Sequence, residues 1–137
     1  MSNPDAIRLD VIGDSGPFST LGKSIGYRIR VGDSEFLLDC GAPVFNLLGT
    51  DGIASLDGVI GTHAHEDHKR WFSDLALFRQ YAPPDMDPLS LLAAPEIIRE
   101  FRRSSAPALE QTLSPHSPPS NPSRPSSLRR CLCLPVR

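Results

Sequence analysis

Apolar and polar residues alternate along the first third of the chain. Ile7, Leu9 and Val11 alternate with Arg8 and Asp10, a period of two that predicts a strand over Ile7 to Ile12. Ile25, Tyr27, Ile29 and Val31 alternate with Gly26, Arg28 and Arg30 in a second strand, and Glu35 to Asp39 reads as a third after a turn at Gly32-Asp33. Asp57-Gly58-Val59-Ile60-Gly61 is a short apolar run of the kind that forms a buried strand. The period then changes. From Glu66 to Tyr81 and just beyond, Trp71, Phe72, Leu75, Phe78 and Ala82 recur at three- and four-residue intervals, which predicts a half-buried helix. Leu89 to Ala93 reads as a further strand, and Pro95 to Arg103 as a helix with proline at its first position and Ile97, Ile98 and Phe101 on one face.

Composition alters this picture at the C-terminal end. A chain of 137 residues, 39% hydrophobic and 22% charged, is ordinary for one globular domain. From Ser114 to Ser127, however, eleven of fourteen residues are Ser or Pro, and no aromatic residue follows Phe101. Such a segment buries too little apolar surface to offset its ordering entropy, so residues 104–137 are expected to be largely disordered and 1–103 to be the folded unit. The two parts carry net charges of −5 and +3, too weak on either side to imply nucleic-acid affinity. Cys40, Cys131 and Cys133 form no CxxC pair, the N-terminus has neither a basic start nor an apolar core, and no run approaches the ~20 apolar residues of a membrane helix. These features predict a soluble cytoplasmic protein with no membrane partner and no disulfide framework.

Between the fourth strand and the helix lies Thr62-His63-Ala64-His65-Glu66-Asp67-His68. Imidazole nitrogen and carboxylate oxygen are ligands that borderline divalent metals accept. His63 and His65 are two apart in an extended segment, so they point the same way and can close on one ion. Asp67 and His68 fall where the chain turns into helix. A carboxylate there is favoured by the helix dipole, and the pair leaves in a new direction, toward a second ion. Two ions roughly 3.5 to 4 Å apart would clamp a nucleophile and a developing oxyanion together. The plainer reading is a solvated polar helix start. Gly16 to Ser24 ends in Gly-Lys-Ser, but five residues separate the glycines where a phosphate loop has four, and a strand follows instead of a helix.

HxHxDH after a strand and before a helix resembles the metallo-β-lactamase superfamily of binuclear metallohydrolases. The opening order of strand, loop, strand, turn, strand is similar to that family's. The Gly13-Asp14-Ser15-Gly16-Pro17 loop, Gly26-Tyr27 and the LLDCG at Leu37 to Gly41 look like the branch containing ribonuclease Z and related phosphodiesterases. The resemblance implies an α/β fold in which residues 1–103 form the N-terminal ββα half of an αββα sandwich. It implies that His63 and His65 hold a first metal and Asp67 and His68 a second, with Asp67 also orienting the nucleophile. Asp39 would support a ligand without binding directly; a strand-end turn cap is its plainer role. The implied cofactor is Zn²⁺, two ions per complete site, with manganese and iron sharing these ligand types. The implied activity is hydrolysis of a phosphodiester or other ester-like bond through metal-bound hydroxide, on a small-molecule or nucleotide-type substrate.

The family's ligand set also includes a third histidine, a bridging aspartate and a late histidine. Only His116 follows the motif here, in Leu113-Ser114-Pro115-His116-Ser117-Pro118-Pro119, without the usual Gly-His-Thr context, and no Asp or Glu follows Glu110. A Pro-rich context cannot hold rigid coordination geometry, which makes His116 the weakest of the candidate ligands. The alternative expectation is therefore a truncated, non-catalytic fragment with partial metal binding. Three origins fit the tail: a partner-binding segment offering polyproline II, plain solvated disorder, or out-of-frame translation. Reading the coding DNA in the other two frames beyond codon 104 separates the last from the others. A shifted frame predicts a Gly-His segment, an Asp and a further His in family order.

Overall fold

A computed structural model of the chain describes residues 6–81 and 89–110, with side chains up to residue 107. Five strands form one mixed sheet in chain order: β1 (Ile7–Gly13), β2 (Gly26–Val31), β3 (Ser34–Leu38), β4 (Gly58–Gly61) and β5 (Ser90–Ala93). The first three are antiparallel, and β4 and β5 run parallel to β3. Parallel neighbours need a crossover. Helix α1 (Val44–Ala54) supplies it between β3 and β4, and α2 (Glu66–Lys69) with α3 (Phe72–Tyr81) supplies it between β4 and β5; α4 (Pro95–Glu110) follows.

One core lies between the sheet and its helices. Leu37, Val59 and Leu91 stand in register across β3, β4 and β5, all buried, and join Val44 and Ile53 of α1, Leu75 of α3 and Phe101 of α4 in a single cluster. Phe101 is fully buried and meets the edge of Phe72, with ring centroids 4.7 Å apart. The helices thus cover one face of the sheet. The charged positions of the first strands share that face, beyond the helices, and pair there: Arg8 and Arg30 each lie 3.0 Å from Asp10, and Glu35 takes Arg28 and Arg30. The apolar positions of β1 point the other way, and Ile7, Leu9 and Val11 are 71%, 54% and 61% exposed.

The structure departs from the sequence-based elements in three places. Helix α1 was not expected, because VFNLLGTDGIA carries two glycines, a threonine and an aspartate, and its backbone kinks at Gly49 (φ 67°), which erases the helical period. The single helix expected over Glu66 to Tyr81 is two helices, broken at Arg70-Trp71. The helix expected to stop at Arg103 continues to Glu110. Ser105, placed by composition in the tail, is instead 1% exposed, with its hydroxyl 3.0 Å from that of Ser73 near the start of α3. Ala82 and residues 111–137, including His116, Cys131 and Cys133, lie outside the described residues. Among the described residues no helix is long and apolar enough to cross a membrane.

Arg79 of α3 is buried, and its guanidinium donates to the carbonyls of Ala54 (3.1 Å) and Leu56, at the end of α1 and the approach to β4. Burial holds its pKa below the ordinary arginine value, although the Asp57 carboxylate opposes that shift. These helix-end carbonyls have no continuing turn to bond them. Replacing Arg79 with alanine leaves both unpaired, and urea denaturation should show a loss of about 2 to 4 kcal/mol. Arg102→Ala, at an exposed position of α4, should change stability by less than about 0.5 kcal/mol.

Candidate metal centre

The site forms where parallel strands β3 and β4 end side by side. Asp39 follows β3, and Thr62 to His65 follow β4. Asp39 takes a left-handed backbone conformation (φ 60°), which aspartate tolerates better than most residues, and its amide bonds the carbonyl of Ile60 at 2.9 Å. Its carboxylate is buried and accepts three hydrogen bonds. The donors are the Thr62 amide (2.8 Å), the Thr62 hydroxyl (2.6 Å) and His68 Nδ1 (2.8 Å). An ionised carboxylate can only accept, so His68 carries its proton on Nδ1 and keeps a free lone pair on Nε2. That nitrogen lies 3.7 Å from Asp67 Oδ2.

The other two imidazoles meet the same patch. His63 Nε2 and His65 Nδ1 are 2.7 Å apart with ring centroids at 4.0 Å, and the rings of His63 and His68 are 5.1 Å apart. The structure therefore brings His63, His65, Asp67 and His68 together, with Asp39 behind His68. It leaves Glu66 out, since that side chain turns to Lys69 at 2.8 Å. Asp67 lies in the first turn of the four-residue α2, where the sequence pattern puts it.

The break between α2 and α3 has a cause outside the helix. In a continuous helix the carbonyls of Asp67 and His68 would accept from the amides four residues on. Here Ile25 N donates to Asp67 O (3.1 Å) and Cys40 N to His68 O (2.7 Å), while Trp71 N turns to Cys40 O (2.9 Å). The segment after β3 and the residue before β2 thus take over the helix's hydrogen bonds. The approach is so close that a Cβ on Gly41 would lie 1.6 Å from the Asp67 carbonyl oxygen, so only glycine fits. Neither this role of Gly41 nor that of the Thr62 hydroxyl was read from the sequence. The LLDCG segment marks Gly41, whereas nothing local marks Thr62. Cys40 is no ligand: burial foremost, then the charges of Asp39 and Asp74, pushes its thiol far above the ordinary range.

The donor set suits a divalent ion, and the fixed Nδ1–H tautomer of His68 leaves the right nitrogen free to bind one. The His63–His65 separation is that of a hydrogen bond. It is shorter than the roughly 3.3 Å that two nitrogens span at ~2.0–2.1 Å from a tetrahedral zinc. Among the described residues no three His, Cys, Asp or Glu side chains stand in a ready-made ligand geometry. Closing on an ion requires the two rings to part by about 0.6 Å, within reach of small χ rotations. His116 lies outside the described residues.

Comparison with known proteins agrees with this architecture. No protein-family model matches the chain. The crystal structure of the metallo-β-lactamase fold protein YhfI from Bacillus subtilis superposes with a TM-score of 0.61 at 30% identity, covering 72% of this chain and 41% of that one. The anti-Pycsar protein Apyc1 of Paenibacillus sp. (strain J14) is 32% identical over 78 residues, 56% of this chain and 32% of that protein. The chain spans less than half the length of either. Its sheet and helix layer match a metallo-β-lactamase-fold protein, the α/β class read from the sequence.

Asp39→Asn keeps the side-chain shape and tolerates the left-handed backbone, but replaces one acceptor with a donor. Zn²⁺ affinity measured against a competing chelator dye should fall about 10- to 100-fold. An unchanged affinity would show that Asp39 does not orient His68.

Proposed function

We propose that this chain carries the N-terminal part of a metallo-β-lactamase-type hydrolase, with His63 and His65 as ligands of one divalent ion and Asp67 and His68 as ligands of a second. The observation behind this reading is the convergence of three imidazoles and one carboxylate at the ends of two parallel strands, with a buried carboxylate fixing the tautomer of His68. Bound ions, preferentially zinc, would supply Lewis acidity that activates water and offsets negative charge on the substrate.

The chain's own groups set the geometry for that chemistry. Asp39 holds His68 through Nδ1 and ties Thr62 to the same carboxylate, so the start of the histidine segment and its end share one anchor. Asp67, whose backbone carbonyl accepts a hydrogen bond from Ile25 N, would also orient the nucleophile. The supporting role of Asp39 in the LLDCG segment favours the phosphodiesterase-like branch, hence a phosphodiester or other ester-like bond in a small-molecule or nucleotide-type substrate. The proposed setting is the cytoplasm, where free thiols such as buried Cys40 persist. Similarity of fold alone would not fix the substrate.

Purified protein loaded with Zn²⁺ should hold about two ions by elemental analysis and hydrolyse a chromogenic phosphodiester, and His63→Ala should lower turnover about hundredfold or more. Less than one ion and no turnover would overturn the enzyme reading for this chain. The non-catalytic fragment would then stand, with His63 and His65 satisfying each other.

A further inference from the structure

Thr62 is exposed, yet it gives both of its donors to one buried carboxylate. Its amide donates to Asp39 Oδ1 at 2.8 Å and its hydroxyl to Asp39 Oδ2 at 2.6 Å. The hydroxyl contact has the length of a charge-assisted bond to an ionised oxygen. Oδ2 also accepts from His68 Nδ1 at 2.8 Å. An exposed side chain fills no core, so packing does not account for a threonine at this position.

The carboxylate needs holding. Rotation about the last bond of an aspartate side chain is broad, with no sharp rotamer to fix the plane of the two oxygens. A bond to one oxygen lets the group swing about that oxygen, whereas bonds to both fix the plane. Thr62 supplies one to each, so the imidazole of His68 meets an acceptor whose direction is already set.

The position of the His68 proton depends on that direction. A neutral imidazole has two tautomers, and only the one protonated on Nδ1 leaves Nε2 with a lone pair for an ion. A carboxylate turned away from the ring leaves Nδ1 without an acceptor. The proton is then free to sit on Nε2, where it blocks the ligand nitrogen.

We propose that Thr62 is a positioning residue for His68 and acts through Asp39: its hydroxyl fixes the carboxylate plane and thereby keeps the His68 proton on Nδ1. The consequence for an ion rests on the reading of His68 as a ligand, and the control of the tautomer does not. Two substitutions separate the hydroxyl from the rest of the side chain. Valine matches threonine in shape and lacks the donor, while serine keeps the donor and lacks the methyl group.

Long-range proton–nitrogen NMR spectra of the metal-free full chain, at a pH about two units above the ordinary histidine pKa, read the tautomer directly. The native chain and Thr62→Ser should show His68 protonated on Nδ1, and Thr62→Val a mixture with the Nε2 form. A pure Nδ1 form in Thr62→Val overturns the proposal, and so does a mixture in the native chain or in Thr62→Ser. Thr62→Ala takes the place of the valine variant should that one fail to fold. Zn²⁺ affinity by dye competition should fall roughly three- to tenfold in Thr62→Val, less than in Asp39→Asn because the hydroxyl acts one contact further from the ion. Added to Asp39→Asn, Thr62→Val should cause no further loss, since both act on one bond; losses that add in full overturn the route through Asp39. A native chain that takes up no zinc overturns the metal reading of the site, and the tautomer spectra then still decide the role of Thr62.

Discussion

The amides of Ile25 and Cys40, donated to the carbonyls of Asp67 and His68, are the contacts on which the arrangement of this molecule turns. They tie three distant segments at one point: the approach to β2, the exit from β3 and the histidine segment after β4. A buried amide or carbonyl left without a partner costs about 1 to 3 kcal/mol, so this exchange of bonds is held firmly once made. It interrupts the helix, turns Trp71 back toward Cys40, and fixes the direction in which Asp67 and His68 leave the backbone. The side-chain contacts of Asp39 then complete what the backbone begins, because its carboxylate reaches both Thr62 and His68.

Packing supplies the rigid platform beneath. Leu37, Val59 and Leu91 knit the parallel strands to α1, α3 and α4, and these same strands deliver Asp39 and Thr62 at their ends. Arg79 closes the far end of the layer by bonding carbonyls that α1 leaves open. The ion-pair cluster around Asp10 and Glu35 lies on the helix side of β1 and β2, which leaves the opposite side wholly to apolar residues. Asp10 titrates below the usual carboxylate range, chiefly through its hydrogen bond from Arg8. Sheet parity thus separates two chemistries, ionic on one face and apolar on the other, within strands of four to seven residues.

Much of this was legible in the sequence where the signal is local. Strands β1, β2 and β4 follow from alternation or a short apolar run, and the spacing of the histidine segment anticipates that its imidazoles meet in one patch. LLDCG marks Asp39, whose carboxylate the structure places against Thr62 and His68. What escaped depends on distant partners. The helix break at Arg70-Trp71 arises from amides some thirty and forty-five residues away, which no window on residues 66 to 81 contains. Helix α1 is hidden by its own glycines. Ser104 and Ser105 looked like the start of a polar tail, yet Ser104 bonds the carbonyl of Glu100 within α4 and Ser105 is buried against α3. The outward direction of Ile7, Leu9 and Val11 was equally invisible, since alternation tells which residues share a face but not which face is covered.

The bare glycine at position 41 makes the histidine segment a poor candidate for transplantation. A designer who copied residues 62–68 onto another strand-to-helix junction would carry over the imidazoles and leave behind the amides that hold them. The copied helix would then close its own ladder through Asp67 and His68, and their side chains would rotate with the backbone. A faithful graft has to bring the glycine, the residue before it and a donor from a separate strand, three pieces that no contiguous motif contains.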